Sequence, residues 1–235
     1  MTTRKRISVI ALLALIAGGV IAPSADAAAT RYITVSAQGA VKVVPDAVRI
    51  NATATAVAAS SKEALAATAK TANAVRAALK TAKIDSKDIA TQSVTVYPEY
   101  KYTADGGSTL TGYRGSQSFT ITVRAADTAG ALVDSLVAAG GDNLQINGAT
   151  PFVLDSTKSL EAARAAAVKS AKAKASSYAK LMGVKLGKVN YLVENSAPTN
   201  YTPVMAVAKA ESDATVIDLG QQDVTISVTV QWSLL

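Results

Sequence analysis

Apolar residues recur along this chain with two periods, and the changes of period divide it into elements. Residues 32–37 (YITVSA) set Ile33, Val35 and Ala37 against polar neighbours, which predicts a short strand. Gly39 is expected to be a break or a bulge, with 41–44 extending again before Pro45-Asp46. AVRINATATAV places Val48, Ile50, Ala52, Ala54 and Ala56 on one face, a long half-buried strand. Ser60 followed by Glu63 is a capping box. The helix it opens runs to about Lys83, with Leu65, Thr68, Ala72, Val75 and Leu79 as its apolar stripe. KIDSKDIAT is polar turn chemistry, and QSVTVYPEY and SFTITVR return to alternation, with Phe119, Ile121 and Val123 inward. A second helix over about 127–139 ends at Gly140-Gly141, and LQINGATPFVL is a strand broken near Gly148. A third helix spans about Thr157 to Met182, with Gly183 as its left-handed cap. KVNYLVEN and DVTISVTVQW are the last strands, the latter with Val224, Ile226, Val228, Val230 and Trp232 inward. The order ββα ββ α β α ββ, with few helical crossovers, predicts an α+β fold of antiparallel sheets with helices packed on one face.

Half of the eight tyrosines fall within 95–117, TVYPEYKYTADGGSTLTGYRGSQ. With Gly106-Gly107 as a two-residue hairpin turn, Tyr100 falls opposite Tyr113, Glu99 opposite Arg114, and Val94 opposite Phe119. Aromatic and opposite-charge pairs are what stabilises such a ladder. The hairpin then faces the core near Val94 and projects beyond Pro98, with Tyr100, Tyr102 and Tyr113 on one face. Three readings stay open: contact with a second chain, packing on its own domain, or a ligand or glycan site. Tyrosine suits an interface because it buries area while keeping a polar tip. Tyr97, Tyr100, Tyr102 and Tyr113 are therefore the interface candidates.

The beginning of the chain changes the picture. Arg4, Lys5 and Arg6 precede nine apolar residues, Val9 to Ala17, and Ala25-Asp26-Ala27 is a small-residue cleavage site. That is a Sec-type signal peptide over 1–27, too short for a membrane span. The expected mature domain is 28–235, periplasmic, with no transmembrane span. Losing Arg4, Lys5, Arg6 and Asp26 lowers the net charge from +7 to +5. Export argues against a nucleic-acid partner, while the basic balance suits an anionic envelope component.

Two absences bound the chemistry. There is no cysteine and no histidine, hence no disulfide, thiolate nucleophile, imidazole base or His/Cys metal site. Most hydrolase triads are excluded with them. Ser177-Tyr178-Ala179-Lys180 matches S-x-x-K, but near a helix C-terminus and without its companion motifs. Asp85, Asp88 and Glu99 offer too few oxygens for a hard cation, and Asp88 reads as a cap or turn residue. No catalytic residue, cofactor or metal ligand is assigned. Arg164, Lys169, Lys172, Lys174 and Lys180 scatter around the third helix and read as solvated charge. Leu160, Ala167, Ala171, Tyr178 and Met182 are its expected packing face. Residues 195–214 are long for a structureless connection and read as functional or disordered.

The segments ITVSAQGAVKVVPDAVRI (33–50), KIDSKDIATQSVTVYPEY (83–100), the stretch 112–153, AARAAAVKSAKAKASSYAKLMGVKLGKV (162–189) and DVTISVTVQW (223–232) together resemble the SIMPL-domain family. That family includes bacterial periplasmic immunogenic proteins and oxidative-stress defence proteins. Ala37 stands where the family often has glycine, and Leu219-Gly220 where it often has Pro-Gly. The resemblance implies an exported, self-associating α+β protein linked to stress tolerance, with no catalytic residue to carry over. The expectation is a non-enzymatic binding or assembly protein, a homo-oligomer. The alternatives are an enzyme using Ser–Lys or carboxylate chemistry and a peripheral binder of the anionic envelope.

Overall fold

A computed structural model describes residues 31–102, 104–195 and 214–235. The element order is the expected one: β1 (Tyr32–Val43), β2 (Ala47–Ala58), α1 (Ser61–Thr81), β3 (Ile89–Tyr102), β4 (Ser108–Val123), α2 (Ala129–Gly140), β5 (Leu144–Phe152), α3 (Thr157–Leu181), β6 (Leu186–Glu194) and β7 (Gln222–Leu234). The fold is α+β. The strands form two antiparallel sheets, ordered β3-β4-β2-β5 and β1-β7-β6. The predicted leader 1–27 and all but the two end residues of the segment 195–214 lie outside the described residues.

Each sheet carries helices on one face and has its own core. In the four-stranded sheet the even positions Val48, Ile50, Ala52 and Ala54 of β2 meet Phe119, Ile121 and Val123 of β4 beneath α1 and α2. The capping box forms: Ser60 Oγ accepts from the Glu63 backbone N–H at 3.3 Å, and Glu63 Oε2 accepts from that of Ser60 at 3.2 Å. Thr68, Ala72, Val75 and Leu79 are buried as the periodicity predicts, joined by Ala64 and Thr71, while Leu65 is only half-buried. Arg76 lies over the Phe119 ring, 5.1 Å from its centroid.

The second core joins the first and last strands. β1 runs antiparallel to β7 from Tyr32↔Ser233 to Val43↔Gln222, and α3 lies across both. Val224, Ile226, Val228, Val230 and Trp232 are all buried, as alternation predicts. Two expectations fail here. Gly39 does not interrupt β1; the strand passes straight through it. Its role is clearance, because a Cβ there would lie 2.2 Å from both Ala163 O and Ala167 N of α3. The packing face of α3 keeps Ala167, Ala171 and the partly buried Leu160 of the expected one but not its last two members. Ala163, Ala167, Ala171, Ala175 and Ala179 are buried, whereas Tyr178 and Met182 are exposed. A stripe of alanines lets the helix backbone approach the sheet closely, and Gly39 completes that approach. The lysines of α3 are exposed, as expected of solvated charge.

Candidate functional site

β3 is an edge strand of fourteen residues, and almost all of it is exposed. Helix α1 packs over β2 and β4 and scarcely reaches β3. The register shows what this leaves uncovered. Val94 faces Gln117, Val96 faces Gly115, Pro98 faces Tyr113 and Tyr100 faces Leu110. These partners lie on the sheet face that carries Phe119 and the core, so the apolar row runs out past the helices. Val94, Val96, Tyr100, Tyr102 and Leu110 are exposed along it, Tyr102 at 79%.

The hairpin register differs from the expected one. The ladder closes at Tyr102↔Ser108, so the loop has five residues, and only Gly106 of the glycine pair has positive φ. A type I′ turn would need positive φ at both glycines, and a two-residue turn of either mirror-image type would need the ladder to close at Asp105 and Ser108, which it does not. A bulge at Thr111 then shifts the pairing between Glu99↔Gly112 and Tyr100↔Leu110. Tyr113 therefore opposes Pro98 rather than Tyr100, and Val94 opposes Gln117 rather than Phe119. Val94 does not enter the core; the buried part of the hairpin belongs to β4 alone. The error is two residues up to Glu99, which preserves the side to which each residue points; beyond Glu99 it is three, and the extra residue at the bulge takes up the odd step. Tyr100, Tyr102 and Tyr113 thus share a face, as expected, with Tyr113 half-buried. Tyr97 lies on the opposite face, across from Arg114.

The bulge is built rather than incidental. The Thr111 hydroxyl donates to Glu99 O at 2.8 Å. Gly112 has φ 155°, and a Cβ on it would lie 2.8 Å from Ala58 O of β2. Bulges of this kind bend and re-aim a strand end. The Glu99–Arg114 pair forms as a diagonal contact, Nη2 to Oε1 at 2.6 Å, with both side chains about one-third exposed. The hydrogen bond to Glu99 raises the Arg114 pKa above its ordinary value.

The other candidates are dispersed. Ser177 and Lys180 are both exposed on α3, with no buried pair between them. Asp85, not Asp88, caps the short 3-10 turn at 86–88, accepting from the Lys87 N–H at 3.3 Å and pairing with Lys87 Nζ at 2.9 Å. Asp88 is buried and takes both arms of Arg124, each at 2.7 Å. That hydrogen bonding holds its carboxyl below the usual carboxylate range, against burial, which opposes it. With Glu99 committed to Arg114, the three carboxylates converge on nothing, and no cluster of three acidic ligands occurs among the described residues. Val96 and Leu110 are not singled out from the sequence, and Val94 is expected at the core rather than on this row, although Val94 and Val96 share the alternation that carries Tyr100 and Tyr102.

The chain matches the SIMPL family, described as a protein of unknown function (DUF541), over residues 33–232. It is 29% identical over 215 residues to the 26 kDa periplasmic immunogenic protein of Brucella melitensis biotype 1, covering 86% of this chain and 84% of that one. The corresponding Brucella abortus (strain S19) protein is equally similar. Identity to the protein named "Uncharacterized protein YggE" of Edwardsiella ictaluri is 30% over 231 residues, 92% of each chain. No helix among the described residues is long and apolar enough to cross a membrane. By the family match across its two sheets, the chain belongs to the SIMPL family.

Proposed function

We propose that this protein is an exported, non-enzymatic assembly protein of the bacterial envelope that associates with copies of itself through the β3–β4 arm. The observation that carries the reading is the uncovered row on β3. A fourteen-residue edge strand presents open backbone hydrogen-bonding groups beside Val94, Val96, Tyr100 and Tyr102. Exposed apolar edges are templates for pairing, and proteins that stay monomeric blunt them with short strands, charge or cover. In the outer half of β3 such devices are Pro98, Lys101, Glu99 (held by Arg114) and the bulge beside it, and none of them removes the apolar row. The signal-peptide features of 1–27 and the periplasmic naming of the Brucella relatives support the envelope location. A link to oxidative-stress tolerance rests on the family resemblance.

The absence of native cysteine supplies a clean test. Tyr102→Cys and Ser177→Cys are made separately in the full chain and oxidised. A disulfide-linked dimer through residue 102, with none through residue 177, supports contact between copies at the arm. Equal cross-linking at both positions, or none at 102, contradicts it.

A further inference from the structure

A second apolar surface is left open on the other sheet. Helix α3 covers β1 and β7 and stops short of the edge strand β6. Val189 lies opposite Trp232 and Leu192 opposite Val230, so both belong to the helix-bearing face. Both are nonetheless about half exposed, because no helix among the described residues lies over them. The result is a groove of about 510 Å³ between α3 and β6, floored by Val230 and Trp232 and walled by Val168, Leu186, Val189 and Leu192. That volume is in the range of about 300–1,000 Å³ usual for small-molecule sites.

The polar groups are confined to one rim. Arg164, Val168, Lys172 and Ser176 follow at four-residue intervals along α3, the line that faces β6. Arg164 is neutralised by Glu194 at the end of β6, Nε to Oε2 at 2.8 Å. Lys172 is the one charged side chain lining the groove, and it has no ion pair among the described residues. A long apolar trough with a single uncompensated cation at its rim complements a molecule of matching build. We propose that this groove binds a single-chain amphiphile with an anionic head, an acyl chain lying on Trp232 and Val189 and its carboxylate at Lys172. The site is separate from the β3–β4 arm, so either proposal can fail without the other.

Trp232 is the sole tryptophan and lies in the groove floor, so its fluorescence reports occupancy. The full chain, expressed with residues 1–27 in place, is titrated below the micelle concentration with dodecanoic acid, with its chain-brominated analogue, and with neutral-headed dodecyl maltoside. Bromine quenches tryptophan only in close contact. Saturable quenching by the brominated acid is expected. Lys172→Gln should weaken the acid about threefold, as for an exposed charge pair, and leave the maltoside unchanged. Val189→Glu, with its fold checked by circular dichroism, should abolish quenching by the acid. Lys172 is exposed, so its variant keeps the test valid even if Val189→Glu misfolds. Absent or non-saturating quenching overturns the proposal, as does an acid affinity unchanged in Lys172→Gln.

Discussion

Replacing Gly39 with alanine adds one methyl group at a point where none fits. The new Cβ would lie 2.2 Å from Ala163 O and from Ala167 N, both backbone atoms of α3. Ordinary contact is about 3.5 Å, so α3 has to lift from β1 by roughly 1 Å. A gap of that size forfeits about a quarter to a half of each dispersion contact across the interface. The interface is the stripe Ala163, Ala167, Ala171, Ala175 and Ala179, whose side chains are too short to reach back across the gap. Overpacking of this kind costs about 1–3 kcal/mol. Relief of glycine's chain entropy offsets some of it, about 0.4–1 kcal/mol. A net loss of about 1–2 kcal/mol lowers the melting temperature by about 2–8 °C in a chain of this size. Trp232 fluorescence follows this core, while far-ultraviolet circular dichroism follows both sheets. The fluorescence transition should therefore move at least as far as the dichroism transition. Shortening Ala167 to glycine should not rescue the variant, since the clash is with backbone. A Gly39→Ala protein as stable as the parent, or one rescued by Ala167→Gly, would refute the close-approach reasoning.

Asp88 bears on acid stability. Its folded pKa is depressed by the Arg124 hydrogen bonds, so the stabilisation is complete above the unfolded carboxylate value of about 3.9 and is lost as pH falls through the lower folded value. In urea melts across acidic pH, Asp88→Asn should be less stable than the parent at neutral pH, and the difference should shrink towards the acid end; a constant difference counts against the linkage. Ser60→Ala removes the acceptor for the Glu63 N–H and should cost about 1 kcal/mol by urea denaturation, with no change in m-value. Gly112→Ala forces a side chain towards Ala58 O at a positive φ, and should raise limited proteolysis at 103–107 relative to the parent; unchanged cleavage would mean the bulge does not aim the arm.

The sequence was most legible where a local rule meets a half-buried face. The Ser60–Glu63 box marked the start of α1, and the strict alternation of 223–232 became the central strand β7. The order of elements followed from such signals alone. Alanine defeated the same reasoning in α3. Ala162, Ala163, Ala165, Ala166 and Ala167 surround the axis, so hydrophobicity offers no contrast between faces. Only tertiary packing selected the stripe that Gly39 admits. In the arm, Gly106-Gly107 suggested the shortest turn, but the register depends on a bulge at Thr111 held by a hydrogen bond to Glu99. Gly112 is the one local sign of that bulge, and it does not say how far the register shifts. The Asp88–Arg124 pair joins residues far apart in sequence, and the bare inner faces of β3 and β6 depend on where helices stop. Such information is not local. Tyr100, Tyr102 and Tyr113 nonetheless share a face as expected, because the two-residue error up to Glu99 leaves side-chain direction intact and the bulge absorbs the odd residue beyond it.

The central claim is that the uncovered face of the β3–β4 arm joins copies of this chain. Light scattering behind size exclusion measures it most directly, over a range of concentrations, for the parent and for a Tyr100→Ser, Tyr102→Ser, Val96→Lys variant. All three positions are exposed, so the variant should fold, and a lysine on the edge is a known bar to strand pairing. The parent should form a defined oligomer and the folded variant a smaller species. A parent that is monomeric at every concentration, or a folded variant with an unchanged oligomer, would contradict it.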